Sequence, residues 1–280
     1  MILTASKKYL KNPKIEYRLL GGMSNYTYVV SENDKKYVIR VLGKDANLFV
    51  HRNEEEYHIK MFERLNITNK TLYFDLESGV KVTEYVEGDI LSEINTLNYL
   101  SEVADILKKV HTSPKSKYDY DLFSRLKEFE AINKDIPKVY YELKEWALEK
   151  RKTTYKNIEL TFTHGDSQPS NFIVSKDKVY LVDFEFSGNN DPYYDIACFG
   201  NIHFEYATKL LNVYLGRNAN VKELKRLYYN RIIQALQWSL VAKYKHEAGM
   251  SEELKVPFLK LMNDYLNLGL KLKQDYEHLR

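Results

Sequence analysis

The stretch His164-Gly165-Asp166-Ser167-Gln168-Pro169-Ser170-Asn171 decides how this 280-residue chain folds and what chemistry it carries. Two short apolar runs with high strand propensity follow it, Phe172-Ile173-Val174 and Val179-Tyr180-Leu181-Val182. Polar turn-forming residues separate the two runs, so the pattern predicts a β-hairpin. Asp183 comes directly after the second run. An amide side chain and a carboxylate therefore stand at the two ends of the hairpin.

The register of this hairpin determines how close Asn171 and Asp183 lie. If Val174 pairs with Val179, the amide lies opposite Val182. A shift by one residue would instead place it opposite Asp183, about 5 Å away. Magnesium prefers hard oxygen ligands and often takes only one or two protein groups beside phosphate oxygens and water. We therefore expect Asn171 and Asp183 to bind one Mg²⁺ ion.

Asp166 lies in the same loop as Asn171, five residues before it. A carboxylate beside a phosphate-bound metal can accept the proton of an attacking hydroxyl group. We expect His164 to act structurally, by hydrogen-bonding the loop that presents Asp166. Each of these residue types alone is common in ordinary turns. The ordered set of His-x-Asp-x-x-x-x-Asn, hairpin and Asp-Phe-Glu favours phosphoryl transfer.

Several motifs of this chain resemble the choline/ethanolamine kinase branch of the aminoglycoside-phosphotransferase-like kinases. They are His-Gly-Asp followed by Asn, then residues 182–188 and 191–197, the loop Gly21-Gly22-Met23-Ser24-Asn25-Tyr26, Arg40, and Arg52-x-x-Glu55. The likeness extends over most of the chain. It implies an α+β, two-lobed, protein-kinase-like fold.

Residues 1–86 alternate in the manner of strands, with one helical segment between them. The expected strands are residues 15–20, 26–31, 36–42, 71–75 and 80–86. Asn53 can cap the helix, and the glutamates that follow favour its positive N-terminal end. This part is predicted to be a small, mainly antiparallel nucleotide-binding lobe with one packed helix.

Residues 87–280 are predicted to be a larger, mainly helical lobe for catalysis and acceptor binding. The expected helices are residues 96–111, 120–133, 137–152, 204–215, 221–248 and 251–279. Only the hairpin is expected to interrupt them. Gly249 would end one helix, and Ser251 would cap the next. A cleft is expected where the lobes meet, near residues 86–89.

The nucleotide-binding residues are expected in the small lobe. Glycines between two strands permit tight turning and close backbone approach to phosphates, so Gly22, Ser24 and Asn25 are candidates. Arg40 lies in an apolar strand, where a charge requires a partner. Its expected partner is Glu55, in a helix oriented by Phe62. The resemblance implies that the hinge against the adenine of ATP is formed by Glu84, Tyr85 and Val86.

The acceptor pocket would bind a cationic amino alcohol by aromatic faces and carboxylates. Besides Asp166, the candidates are Glu185, Phe186, Tyr193 and Trp238, with Tyr194 and Tyr244 as further aromatic walls. By resemblance, Trp238 begins the Trp-x-x-Trp motif of the family, but Val241 stands where the second tryptophan is expected. Trp238 can equally be a core residue. A thinner aromatic cage would favour ethanolamine over choline, and Asp195 is expected to steady the catalytic loop.

Composition and charge exclude several other classes of protein. The chain has 44% hydrophobic and 29% charged residues, and its net charge of +3 does not indicate a nucleic-acid partner. It has no apolar run of about 18 residues and no signal-peptide pattern, so we expect a cytoplasmic protein without membrane association. The oligomeric state is left open.

The motifs, together with the family that they resemble, predict a kinase that transfers the γ-phosphate of MgATP to choline or ethanolamine. The nearest alternative is an aminoglycoside phosphotransferase or another small-alcohol kinase of the same fold. Lysines in the last helical segment disfavour a polycationic acceptor, and residues 184–194 are too few for the activation loop of a protein kinase. A non-enzymatic pseudokinase scaffold would not need the complete set of Asp166, Asn171, Asp183 and Arg40.

Overall fold

The computed structural model describes residues 7, 9–19 and 25–280, which divide into two units by their internal contacts. The first unit contains the chain up to Thr96 together with Pro169–Gly188. The second contains Leu97–Gln168 and Asn189–Arg280. Segments 87–96 and 169–188 thus group with the first unit, whereas the sequence assigned them to the larger lobe. The functional division into residues 1–86 and 87–280 stays a prediction.

The first unit contains a five-stranded antiparallel sheet and one α-helix. The strands are β1 (Lys14–Leu19), β2 (Asn25–Glu32), β3 (Lys35–Leu42), β4 (Thr71–Phe74) and β5 (Lys81–Glu84), in the order β1-β2-β3-β5-β4. Helix α1 (Arg52–Arg64) follows a short 3-10 turn at Ala46–Leu48. The expected antiparallel sheet with one helix is confirmed. Its core is built on buried aliphatic side chains such as Val30, Ile39 and Val82.

The expected cap of helix α1 is wrong. The helix begins at Arg52 with His51 as its N-cap residue, so Asn53 lies inside the first turn. The Arg52 guanidinium donates to the carboxylate of Glu55 one turn later, at 2.7 Å. This buried contact requires Arg52 to be helical, and it outweighs the weaker preference of Asn53 for a cap position.

Five further strands are short, and they are β6 (Asp89–Ile90), β7 (Thr161–Thr163), β8 (Phe172–Val174), β9 (Val179–Leu181) and β10 (Gly188–Asn190). Strands β6, β8 and β9 form one sheet, and β7 pairs with β10. The expected hairpin is therefore confirmed. The expectation that only this hairpin interrupts the helices is wrong, because strands of two or three residues are too short to show a hydrophobic period.

The hairpin has the unshifted register. Val174 pairs with Val179, and Phe172 pairs with Leu181. The backbone N–H of Val182 donates to the carbonyl oxygen of Asn171 at 2.9 Å. Asn171 therefore lies opposite Val182 in the hairpin, and Asp183 is the next residue after Val182.

The second unit is mainly helical. Its helices are α2 (Leu100–His111), α3 (Leu122–Ala131), α4 (Lys138–Lys152), α5 (Pro192–Phe199), α6 (Phe204–Leu215), α7 (Val221–Glu247), α8 (Met250–Leu254) and α9 (Phe258–His278). The first five predicted helical segments are confirmed in position, and the sixth is divided in two. Helix α5 was not predicted. It is short, and Asp191 caps it by accepting from the N–H of Tyr193 at 2.8 Å.

The last predicted helix is divided into α8 and α9. Gly249 has a φ of 73° and ends α7, as expected for a glycine in the left-handed region. The expected cap by Ser251 is wrong, because α8 begins one residue earlier without a side-chain cap. Lys255 then takes a φ of 53°, and Pro257 precedes α9. Proline cannot continue the helix before it, so the chain restarts at Phe258.

Helix α7 is the most buried of the long helices that the structure describes. Leu236 and Leu240 are almost fully buried, as expected from its apolar pattern. Asn220 and Glu223 form a capping box at its N-terminus, in which each side chain accepts from the other residue's backbone N–H. Among the described residues, no helix has the length and apolar character needed to cross a bilayer.

We predict that Asn220→Ala lowers the free energy of unfolding by about 1 kcal/mol, because it removes the cap of the N–H of Glu223. Urea denaturation followed by circular dichroism measures this change. Asn218→Ala is the matched control, since Asn218 is exposed and lies two residues before the cap. Equal unfolding midpoints for the two variants would contradict the capping role.

Candidate active site

The carboxylate of Glu55 is the centre of a buried charge cluster in the first unit. Its side chain is fully buried, and Arg40 donates to both oxygens, at 2.5 and 2.9 Å. Arg52 donates to it at 2.7 Å, and Lys81 lies 3.2 Å away. The expected pairing of Arg40 with Glu55 is confirmed. Arg52 belongs to the Arg52-x-x-Glu55 motif, whereas Lys81 belongs to none of the motifs in the sequence.

Local structure explains why these cations meet. Arg40 and Lys81 are direct partners in the antiparallel pairing of β3 with β5, so their side chains lie on the same face of the sheet. Arg52 and Glu55 are one turn apart on α1. A lysine between two valines in β5 could have indicated a second buried cation. Its pairing with Arg40, however, depends on a strand register that the sequence does not reveal.

The three cations keep Glu55 ionised. Burial alone would raise the pKa of this carboxyl group, since charge is disfavoured away from water. The attraction of Arg40, followed by that of Lys81, outweighs burial and lowers the pKa below its ordinary value. Glu55 therefore carries a negative charge that pairs with Arg40, Arg52 and Lys81.

Glu185 joins the same cluster. Its Oε2 accepts from Nδ2 of Asn25 at 2.9 Å, and it lies 3.4 Å from Arg52 and 3.5 Å from Arg40. Burial, and then the neighbouring charge of Asp183, raise the pKa of Glu185 to about 7. Glu185 is predicted from the sequence as an acceptor-side residue, whereas its contacts in the structure are with the two arginines and with Asn25.

Asp183 lies at the edge of the cluster and has a conformation that few residue types adopt. Its φ is 72°, in the left-handed region that Asp and Asn tolerate better than most side chains. Phe184 stacks on Phe62 of α1 with ring centroids 4.2 Å apart, which anchors the chain between the two acids. One oxygen of Asp183 lies 3.7 Å from Arg40. The expected packing of Phe62 into the lobe is confirmed, since it is fully buried.

A divalent cation fits this group of acids. Carboxylate oxygens of Glu55, Asp183 and Glu185 lie within 4.8 Å of one another. Glu55 is already surrounded by three cations, but Oδ1 of Asp183 is buried and has no hydrogen-bond partner among the described residues. A buried oxygen of this kind costs free energy unless it binds a donor or a metal. The donor set therefore suits Mg²⁺, with Asp183 as the best-placed carboxylate.

In the second unit, Asp195 organises the loop that carries Asp166. Its carboxylate accepts from the backbone N–H groups of His164 and Gly165, both at 2.8 Å, and contacts Nε2 of His111 at 3.1 Å. Burial would raise the pKa of Asp195, but the hydrogen bond to His111 and the other contacts lower it overall. The expected loop-steadying contact of Asp195 is confirmed.

His164 and Gly165 shape the turn that presents Asp166. The backbone N–H of Asp166 donates to Nδ1 of His164 at 3.2 Å, as expected for a structural histidine. Gly165 has a φ of 81°, which a side chain would make costly. The carboxylate of Asp166 is half-buried and accepts from Nε2 of Gln168 at 3.1 Å. Gln168 lies within the His164–Asn171 motif, but its residue type alone does not reveal this contact.

The aromatic candidates for the acceptor pocket differ in how accessible they are. Tyr194 is fully buried, so its ring offers no surface to a ligand. Tyr193 is largely buried, and the guanidinium of Arg226 lies 4.3 Å from its ring centroid. Phe186 is also buried, whereas Trp238 is half-buried on α7. Of these four rings, Trp238 is the most accessible.

The other nucleotide-side candidates fall in two places. Gly22 and Ser24 lie outside the described residues. Glu84, Tyr85 and Val86 line a cavity of about 540 Å³ in the first unit, together with the charged residues Glu63, Lys70, Glu87 and Lys178. Because the lining has three acidic side chains and two lysines, this cavity supplies no excess positive charge for a triphosphate. None of its described lining residues belongs to the cluster around Glu55.

Comparison with known proteins agrees with this combination of motifs. The relatives include the "Protein LicA" of Haemophilus influenzae, 26% identical over 261 residues that cover 86% of this chain and 76% of the relative. The crystal structure of choline kinase LicA from Streptococcus pneumoniae has a TM-score of 0.75 at 24% identity and covers 94% of this chain and 98% of its own. The crystal structure of a choline/ethanolamine kinase family protein from Mesorhizobium loti has a TM-score of 0.74 at 21% identity. The match covers 92% of this chain and 87% of that protein.

At these identities the solved structures show a shared fold, which confirms the expected two-lobed, protein-kinase-like α+β architecture. The model of the family described as choline/ethanolamine kinase matches residues 17–229, more than two thirds of the chain. The chain therefore belongs to the choline/ethanolamine kinase family.

Proposed function

We propose that this protein transfers the γ-phosphate of MgATP to the hydroxyl group of choline, with ethanolamine as the alternative acceptor. Membership of the family supports a small-molecule kinase. The observation that carries the proposal is the cluster of Arg40, Glu55 and Asp183, in which a buried carboxylate oxygen without a hydrogen-bond partner lies 3.7 Å from a fixed guanidinium. Such an array suits a metal-bound polyphosphate.

The first unit supplies the nucleotide-side residues. Asp183 and Asn171 would hold Mg²⁺, which when bound balances the charge of the phosphate oxygens. Arg40 would neutralise phosphate charge, and Glu55 keeps its guanidinium in place. Because the cluster is already assembled, little reorganisation is needed as charge develops in the transition state.

The second unit supplies the proton acceptor. Asp166 would orient the acceptor hydroxyl and receive its proton late, as the new oxygen–phosphorus bond forms and the bond to ADP breaks. Its loop is held by Asp195 through two backbone hydrogen bonds. A fixed loop keeps the carboxylate in a productive orientation, which is how positioning contributes to rate.

The acceptor would be recognised by its cationic nitrogen. The exposed part of the Trp238 ring can offer its face to this cation in a cation–π contact. The choline preference is supported by the similarity of this chain to the choline kinase LicA from Streptococcus pneumoniae. Glu185 is better suited to the nucleotide side, since its carboxylate contacts Arg40 and Arg52.

The acceptor is tested with purified protein, MgATP and a panel of choline, ethanolamine and kanamycin, with ADP release and the phosphorylated product both measured. We predict phosphocholine as the main product. Phosphoethanolamine as the main product would reverse the acceptor preference, and phosphorylated kanamycin would favour an antibiotic-modifying enzyme. Absence of product with every acceptor would refute the proposed activity.

We predict that Asp166→Asn reduces kcat by at least about 100-fold, because the amide cannot accept the hydroxyl proton. The affinity for MgATP, measured by calorimetry, is expected to stay at its original value. Turnover equal to that of the original protein would refute the role of Asp166.

We predict that Asp183→Asn removes the Mg²⁺-dependent part of ATP affinity, since an amide is a weaker ligand than a carboxylate for a hard cation. Calorimetry in Mg²⁺ and in EDTA separates this part. The control is Asp177→Asn, an exposed acid in the turn of the same hairpin. A Mg²⁺ effect of the original size in Asp183→Asn would show that the metal is bound elsewhere.

A further inference from the structure

Arg231 of α7 is a buried cation whose hydrogen-bond partners are all uncharged. Its side chain is about 1% exposed, and burial lowers its pKa. Its hydrogen bonds go to neutral oxygens: Nη2 donates to the carbonyl and Oδ1 of Asn201, at 3.2 and 2.9 Å, and Nη1 donates to Gln234 at 3.3 Å. Its Nε has no hydrogen-bond partner among the described residues. A guanidinium stays charged even when buried, so this arrangement is costly for folding alone.

A continuous chain of hydrogen bonds leads from Arg231 to Asp166. Asn201, just after α5, accepts from Arg231 and donates through Nδ2 to Oε1 of Gln168 at 2.8 Å. Gln168 then donates through Nε2 to Oδ2 of Asp166 at 3.1 Å. All four residues belong to the second unit. The buried charge is thus linked to the carboxylate through two amides.

The direction of this chain follows from the chemistry of its first member. A guanidinium can only donate hydrogen bonds, so Asn201 must turn its oxygen towards Arg231. The side-chain nitrogen of Asn201 then faces Gln168, so the side-chain oxygen of Gln168 must accept this hydrogen bond. Gln168 is left with only its NH₂ group to present to Asp166. The donor-only cation therefore sets the orientation of both amides, and it polarises each bond towards the carboxylate.

We propose that Arg231 is a positioning residue that, through Asn201 and Gln168, holds the carboxylate of Asp166 in the orientation needed to accept the acceptor's proton. The inference rests on the proposed function of Asp166. It adds two residues of the chain, Arg231 and Asn201, which none of the motifs above contains. Without the cation, Gln168 is free to turn its oxygen towards the carboxylate and repel it.

The test compares Arg231→Met, Arg231→Lys and Asn201→Asp in the full-length protein. Met has a similar length but no donor. Lys is again donor-only and keeps Asn201 oriented. Asp at position 201 still pairs with the guanidinium but cannot donate to Gln168. We expect kcat to fall about 10- to 100-fold in Arg231→Met and Asn201→Asp, and to be largely restored in Arg231→Lys. The KM for ATP is expected to stay unchanged.

Lys245→Met is the matched control. Lys245 is a cation on the same helix, also about 1% exposed, and it lies outside the chain of hydrogen bonds to Asp166. Melting temperatures are measured for every variant. A purely structural role of Arg231 would make kcat follow the melting temperature in all four variants, and this outcome would overturn the inference.

The outcomes also separate this inference from the proposed function. If the original protein phosphorylates choline or ethanolamine but Arg231→Met and Asn201→Asp keep its kcat, only the positioning role is refuted. If the original protein phosphorylates no acceptor, the proposed function fails and the inference fails with it. A loss of kcat in Asn201→Asp with an unchanged melting temperature supports the inference most directly, because this variant retains the partner of the buried cation.

Discussion

The ion pair between Glu55 and Arg40 is the interaction on which the proposed nucleotide side of this protein depends. It joins helix α1 to strand β3, while Lys81 adds strand β5 and Arg52 adds the start of the helix. Buried ion pairs of this kind often stabilise a fold no better than apolar residues of similar volume. Stability alone therefore does not explain the cluster. A fixed array of charges that is ready for a phosphate and its metal explains it better.

The second unit uses the same principle around a different acid. Asp195 is completely buried, and it accepts hydrogen bonds from two successive backbone N–H groups of the loop that carries Asp166. In both units, a fully buried acid holds the group that is proposed to contact the substrate. Chemistry that depends on electrostatic preorganisation requires such supports, because mobile charges would have to be oriented during the reaction.

Predictions from the sequence succeeded where a residue pattern is long or chemically unusual. Helix α6 has the expected bounds, Phe204–Leu215, because its apolar residues recur over three turns. The pairing of Arg40 with Glu55 could be expected, because a charge in an apolar strand needs a partner. The predicted helix caps at Asn53 and Ser251 are wrong, because the N-cap residues are His51 and Gly249. Cap preferences amount to about 1 kcal/mol, and buried contacts such as that of Arg52 with Glu55 outweigh them.

By itself, the sequence determined the hairpin, the antiparallel sheet with its single helix, and the residue types of the candidate site, because periodicity and side-chain chemistry are local properties. Only the tertiary structure decided that Lys81 reaches Glu55, that Glu185 lies with the arginines, and that Arg231 is linked to Asp166. These contacts join residues 26 to 145 positions apart, or pass through intermediate side chains. They depend on strand register and helix packing, which are set by the whole core at once and leave no local signal in the chain.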